Sequence, residues 1–287
     1  MLKRRMLIMC IISTMLALSI GISAKADEVQ TFINKENGVK FEFTSEHFVK
    51  PWITDENQIK ERTSDISKGI FDAYGKSKTN NLENIDKYLK SQGFDIINPA
   101  GIIEDSVSDE VNIYEPSVYY DPATGLYVLN ASFKWKRDSG GIPYWRYDFN
   151  APGSVGGLDG IGLWIGNPAG ITLRSNMYLV TYDYNLSQYK TSTPWNWNQY
   201  GVAFKSQDKC WYDNVPGLYN YNWDSGTLVV WISVSGTGST YLKTTLGHDW
   251  NTTQLQSVSI SSSGLSFSFG TGNNYWQGTS LPYTWSR

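Results

Sequence analysis

The sequence predicts an α+β chain, a small helical N-terminal region followed by an antiparallel β-sandwich or jelly-roll domain. Three observations carry that expectation. Composition breaks near Glu115: no glutamate occurs from Pro116 to Arg287, while every tryptophan except Trp52 lies beyond that point. Apolar residues recur at helical spacing before the break and at period two after it. Many short apolar runs separated by Gly-rich turns then argue for packed β-sheets. The expected segments are 1–26, a signal peptide; 27–110, an acidic, partly helical region; and 111–287, an aromatic-rich β domain.

Lys3, Arg4 and Arg5 precede an apolar run from Leu7 to Ile22, and Ala24-Lys25-Ala26 supplies a small-x-small cleavage site. That pattern is a secretory signal, so the mature chain is expected to begin near Asp27, outside the cytoplasm. Cleavage removes Cys10 and leaves Cys210 as one thiol that no internal disulfide can use, so stability must come from a core. No later stretch is long and apolar enough to span a bilayer.

A short strand or hairpin is expected at Gly38 to Phe43. Ile59, Ile66, Ile70, Phe71 and Tyr74 then share one helical face across Asp55 to Tyr74, with Thr54 or Asp55 as cap and Gly75 as stop. Leu82, Ile85, Tyr88 and Leu89 predict a second helix from Leu82 to Ser91, stopped by Gly93. Asn98 to Asp109 reads as a connection.

In the β region, Tyr127, Leu129, Ala131, Phe133 and Trp135 alternate with polar residues as a half-buried strand does. The turn before it, Asp121-Pro122-Ala123-Thr124-Gly125, has hairpin chemistry. A partner strand is expected across Asp138-Ser139-Gly140-Gly141, with Trp145, Tyr147 and Phe149 on one face. Further strands are expected at Ile161 to Ile165, Tyr178 to Tyr184, Tyr200 to Lys205, Thr227 to Val234, Ser257 to Ile260 and Leu265 to Phe269. The continuous apolar run Leu228-Val229-Val230-Trp231-Ile232 marks a central strand covered on both sides. Trp135, Trp145 and Trp231 are assigned to the core.

Charge divides the chain in the same place. Residues 27–115 carry eighteen acidic against ten basic side chains, and residues 116–287 nine Asp against ten Lys and Arg. Neither part has the basic stripe that phosphate neutralisation requires, which excludes nucleic acid as the expected partner.

Glycosidases commonly use a pair of carboxyl groups, and the β region offers only Asp. Asp121, Asp138, Asp213 and Asp224 sit in turn contexts, where Asp bonds its own backbone. No Gly-x-Ser-x-Gly elbow is present. Cys210 with His248 downstream has the order of a thiol hydrolase, although no helix start lowers the thiol pKa there. The other histidine, His47, lies in the acidic region, so no metal site and no cofactor are expected. Asp148-Phe149-Asn150 with Asp159-Gly160 does not match a calcium-loop spacing. Leu281-Pro282-Tyr283-Thr284-Trp285 imitates an LPxTG sorting motif but lacks its glycine and hydrophobic tail.

The residues singled out for binding are loop aromatics beside amides and carboxylates: Trp195, Trp197 and Asn198; Tyr221 and Trp223; Tyr275, Trp276 and Gln277. A pyranose stacks its C–H face on such rings and bonds its hydroxyls to the amides. The phrases Asp159-Gly160-Ile161-Gly162-Leu163 and Gly201-Val202-Ala203-Phe204-Lys205-Ser206-Gln207-Asp208-Lys209 resemble uncharacterised secreted β-sandwich proteins of Gram-positive bacteria. The resemblance covers roughly the last 170 residues, implies one domain of ordinary size and carries no activity. The expectation is a secreted binder of extracellular glycan or cell-wall polysaccharide. The alternatives are a secreted hydrolase, through Asp or through Cys210 and His248, and a membrane-active toxin using Ser257 to Phe269 as a hairpin.

Overall fold

The computed structural model describes residues 30–33, 40–43, 51–77, 81–101, 109–147, 152–212, 219–250, 254–272 and 274–287. The expected signal peptide, His47, Asp148, Phe149, Asn150 and Asp213 lie outside the described residues. The chain forms two compact units, 1–50 and 51–287. In the first, β1 (Gln30–Ile33) pairs antiparallel with β2 (Lys40–Phe43).

The second unit begins with two helices. Asp55 caps α1 (Glu56–Tyr74) by accepting from the backbone N–H groups of Asn57 and Gln58, each at 3.0 Å. The Gly75 N–H closes its last turn on the Phe71 carbonyl. α2 (Asn81–Ser91) buries Leu82, Ile85 and Leu89 on one face.

The strands are antiparallel throughout. One sheet runs β3 (Asp95–Asn98), β5 (Ser117–Asp121), β6 (Leu126–Trp135), β13 (Ser225–Val234), β8 (Ile171–Tyr182), β9 (Gln188–Thr191), with β4 (Val111–Ile113) also on β6. The other runs β10 (Asn196–Asn198), β11 (Gly201–Tyr212), β7 (Gly153–Gly166), β14 (Ser239–Asp249), β17 (Tyr275–Thr279). In this sheet β12 (Tyr219–Tyr221) adds to β11 and β18 (Tyr283–Ser286) to β14. A separate hairpin joins β15 (Leu255–Ser261) to β16 (Gly264–Phe269).

Alternation assigns each sheet two faces. Leu228, Val230 and Ile232 of β13 share a core with Ile161, Leu163 and Ile165 of β7 and with Val202, Phe204 and Leu246. The intervening Val229 and Trp231 pack instead with Ile70, Phe71, Tyr74 and Leu89 of the helices. The apolar run in β13 is therefore covered on both sides, as its lack of alternation implies. Trp231 also donates its Nε1–H to Ser67 Oγ of α1 at 2.9 Å, which satisfies its polar atom inside the core.

The second sheet is covered on its outer face by the β15–β16 hairpin. Gly160, Gly162 and Gly247 lie beneath it, and a Cβ on Gly162 would come within 2.4 Å of Leu265. On Gly247 it would come within 2.8 Å of Phe267. Glycine at alternate strand positions lets Leu265 and Phe267 approach the sheet backbone.

One expected strand is corrected. Residues 144–147 form a 3-10 turn and not a strand against β6, because both edges of β6 are taken, by β4 and β5 on one side and β13 on the other. Trp145 is nonetheless buried, donating Nε1–H to Asp224 Oδ1 at 2.7 Å. Residues 51–287 form one compact unit, in which the apolar faces of α1 and α2 pack against the first sheet.

Candidate functional site

The structure scatters the eight residues expected to bind. Trp223 is 1 % exposed, stacks on Phe133 with ring centroids 5.4 Å apart, and donates its Nε1–H to Ser206 Oγ. Tyr221 is buried and its hydroxyl donates to Asp208 Oδ2 at 2.8 Å. Neither ring offers a face to a ligand, which corrects the expectation for both. Their neighbour Asn222 spends its amide on the ladder, accepting from Lys209 N and donating to the Gln207 carbonyl.

Trp195 and Trp197 do not form one platform either. Alternation holds only inside a strand, and Trp195 precedes β10. Trp197, 51 % exposed, stands opposite Val202 and so shares the inner-face side of its sheet. Trp195 packs with the hairpin cluster on the outer side, with Lys205 Nζ 3.8 Å from its ring centre. Asn198 donates to the Ile260 carbonyl at 2.9 Å, tying β10 to the hairpin. On β17, Tyr275 is 41 % exposed and stacks on Phe269, while Gln277 Oε1 accepts from Phe267 N. Trp276 is half-buried and packs beside His248 and Trp135. β10 and β17 are opposite ends of the sheet's main strand order, four strand spacings or roughly 19 Å apart.

A different surface assembles where the hairpin ends. Trp164, Lys243, Thr245 and Thr279 line a groove of about 170 Å³, closed by Ser263, Gly264 and Leu265 of the hairpin. Register explains the grouping: Trp164 of β7 stands directly opposite Lys243 of β14, and Thr245 opposite Thr279 of β17. Trp164 is anchored by its Nε1–H to the Ser261 carbonyl at 2.8 Å. Tyr241, 45 % exposed, lies two residues before Lys243 on the same face.

The inner face of the same sheet holds a buried group of titratable side chains. Asp208 of β11, Asp159 of β7 and His248 of β14 come from three adjacent strands, with their donor atoms within 4.8 Å of one another. His248 Nδ1 lies 2.9 and 3.0 Å from the two carboxylate oxygens of Asp159. The Tyr221 hydroxyl reaches both Asp159 Oδ2, at 3.2 Å, and Asp208 Oδ2. Gln207 Nε2 donates to Asp208 Oδ1 and the Asp249 N–H to Asp159 Oδ1, both at 3.1 Å. Trp135, Trp250 and Trp276 surround the imidazole at centroid distances of 5.1, 5.7 and 5.9 Å. Burial first, and then the Asp159 charge, hold the Asp208 carboxyl well above the usual carboxylate range. Asp249, beside the group, is pushed up to about 6, chiefly by burial.

The alternative chemistries can now be placed. The paired carboxylates face the core rather than a cleft, so no polymer reaches them as folded. Cys210 is buried between the sheets, paired in the ladders with Tyr221 and Gly153, whereas the imidazole of His248 is held against Asp159. The residues proposed for a membrane-active hairpin are the ones packed on Gly160, Gly162 and Gly247. The sorting-motif imitation contributes β18, with Trp285 buried in the inter-sheet core. Among the described residues no helix is long and apolar enough to cross a membrane. No family model matches the chain, and no curated protein is significantly similar to it.

Proposed function

We propose that this chain is an exported glycan-binding protein built as a β-sandwich, and that it binds cell-wall or other extracellular polysaccharide in the groove at Trp164. The observation that carries this reading is one wall of indole beside the Lys243 ammonium and the Thr279 hydroxyl, over a floor that includes the buried Thr245. An apolar ring face with donors and acceptors at its rim matches the two-sided chemistry of a pyranose. The groove is smaller than the roughly 300–1,000 Å³ that enclose a drug-sized ligand. It suits one ring of a polysaccharide lying across the surface toward Tyr241.

The test is retention of the full chain on insoluble cell-wall polysaccharide, alongside a glycan array. Lys243→Ala and Thr279→Ala should weaken retention at least tenfold with the circular dichroism spectrum unchanged, and Trp164→Phe should weaken it while keeping a ring in place. Trp197→Ala should leave it intact. Failure of the intact protein to bind any glycan would overturn the proposal, as would loss confined to Trp197→Ala.

A further inference from the structure

We propose that Asp159, Asp208 and His248 bind one divalent transition-metal ion, with zinc the best match to the donor set. The three side chains arise from neighbouring strands β11, β7 and β14 and meet on the face directed into the core. Strand adjacency thus fixes the donors without help from a loop. One imidazole nitrogen and two carboxylate oxygens are a mixed N/O set of the kind that zinc accepts with a fourth position left over. Calcium, which takes six to eight oxygens, is poorly served. The 2.9 Å between His248 Nδ1 and Asp159 Oδ2 is slightly short of the roughly 3.3 Å between neighbouring donors of a tetrahedral zinc shell. All three donor atoms lie within 4.8 Å of one another, so a modest contraction brings them onto one ion with the fourth position left open.

The surroundings match what a metal centre needs beyond its ligands. Tyr221 orients both carboxylates, Gln207 holds Asp208, and the backbone of Asp249 holds Asp159. Trp135, Trp250 and Trp276 supply the apolar wall that fixes the imidazole plane and excludes water. The ligands are enclosed on every side by the folded sheet, so the ion enters as the strands assemble and its binding energy contributes to folding.

The experiment is elemental analysis of the full chain, purified without chelator and, separately, refolded in zinc, manganese or cobalt and desalted. One equivalent of metal is expected, with a fall in melting temperature when the protein is refolded with a strong chelator. A cobalt-loaded sample should show visible d–d absorption. Asp208→Asn and His248→Gln should each lower the bound metal at least tenfold; Asp208→Asn keeps the shape and the hydrogen bond to Tyr221, so it remains informative should the histidine variant not fold. Less than a tenth of an equivalent in the refolded wild-type protein overturns the proposal, as does a full equivalent retained by Asp208→Asn. Glycan retention is measured separately, at residues of the opposite face, so either proposal can fail alone.

Discussion

Replacing Arg62 by methionine should destabilise the whole of residues 51–287, not only α1. Asp121, at the start of the β5–β6 turn, is 0 % exposed and accepts from Arg62 Nε and Nη2, each at 2.8 Å. It also accepts from Ala123 N at 3.2 Å and Thr124 Oγ1 at 2.8 Å. Methionine keeps an apolar stem close to Phe94 but leaves the carboxylate without its counter-charge. Stranding a buried charge costs about 3–5 kcal/mol. Two donors remain, and the Arg62 side chain is 22 % exposed, so water reaches part of the vacated site. The expected loss is therefore about 2–3 kcal/mol. Urea denaturation should be followed by tryptophan fluorescence for the sheets and by far-ultraviolet circular dichroism for the helices. Both signals should move to the same lower midpoint. Adding Asp121→Asn should recover about 1 kcal/mol or more relative to the sum of the single changes. A loss below about 0.5 kcal/mol, or separate helix and sheet transitions, would refute the claim that the ion pair joins helix to sheet in one cooperative unit.

Three further outcomes are expected. A chain begun at Val111 leaves Val128, Val180, Val229 and Trp231 without their helical cover and should aggregate, whereas one begun at Pro51 should fold; a monodisperse, folded 111–287 fragment would contradict the shared core. Gly247→Ala places a Cβ 2.8 Å from Phe267 and 3.0 Å from Phe269, two ring atoms with little freedom to move. It should cost about 1–3 kcal/mol by urea denaturation and speed proteolysis of the hairpin, and unchanged values would show that the hairpin is not held on this glycine. Burial lowers the Lys134 pKa from its ordinary 10.5. Between that lowered value and 10.5 the unfolded chain binds a proton that the folded chain releases, so this residue makes stability rise with pH across that window. Lys134→Met should remove that contribution, read as the difference between the wild-type and variant pH profiles so that tyrosine ionisation, common to both, cancels; an identical pH profile in the variant would show that the lysine is not desolvated.

The local elements were legible where one short-range pattern decided them. Asp55 and Gly75 bracket α1 because capping and stop chemistry are properties of adjacent residues. β13 and the hairpin followed from period-two alternation or its absence, whereas β6, expected to be half-buried, is a strand buried on both faces, with Asn130 bonded to the Leu228 carbonyl and Ser132 to Thr227. The sites were not legible in the same way, since Trp164, Lys243, Thr245 and Thr279 meet only through the register of three strands. Such register is set by the pairing of whole sheets and leaves little trace in any one segment. One signal was available for the buried group. Asp159 shares the parity of Ile161, Leu163 and Ile165, and His248 that of Leu242 and Leu246, so each is a titratable residue at a core position of its strand. Gly160 and Gly162 occupy the opposite parity, which marks an element lying against the outer face.

That parity gives one sheet two chemically different faces. On β7, odd positions carry Asp159 and the core residues inward, while even positions carry Gly160, Gly162 and Trp164 toward the hairpin and groove. On β14, His248 points inward and Lys243 and Thr245 point outward. The acidic helices cover one face of the first sheet, while in the second sheet Trp276 lies on the core side beside His248 and Trp164 on the side of the groove. A one-residue slip of β7 against β14 would turn both sets over at once. The hairpin opposes that slip, because Leu265 and Phe267 fit only where glycine stands beneath them, and so the same packing that fixes the register also fixes the donor atoms on one face and the groove on the other.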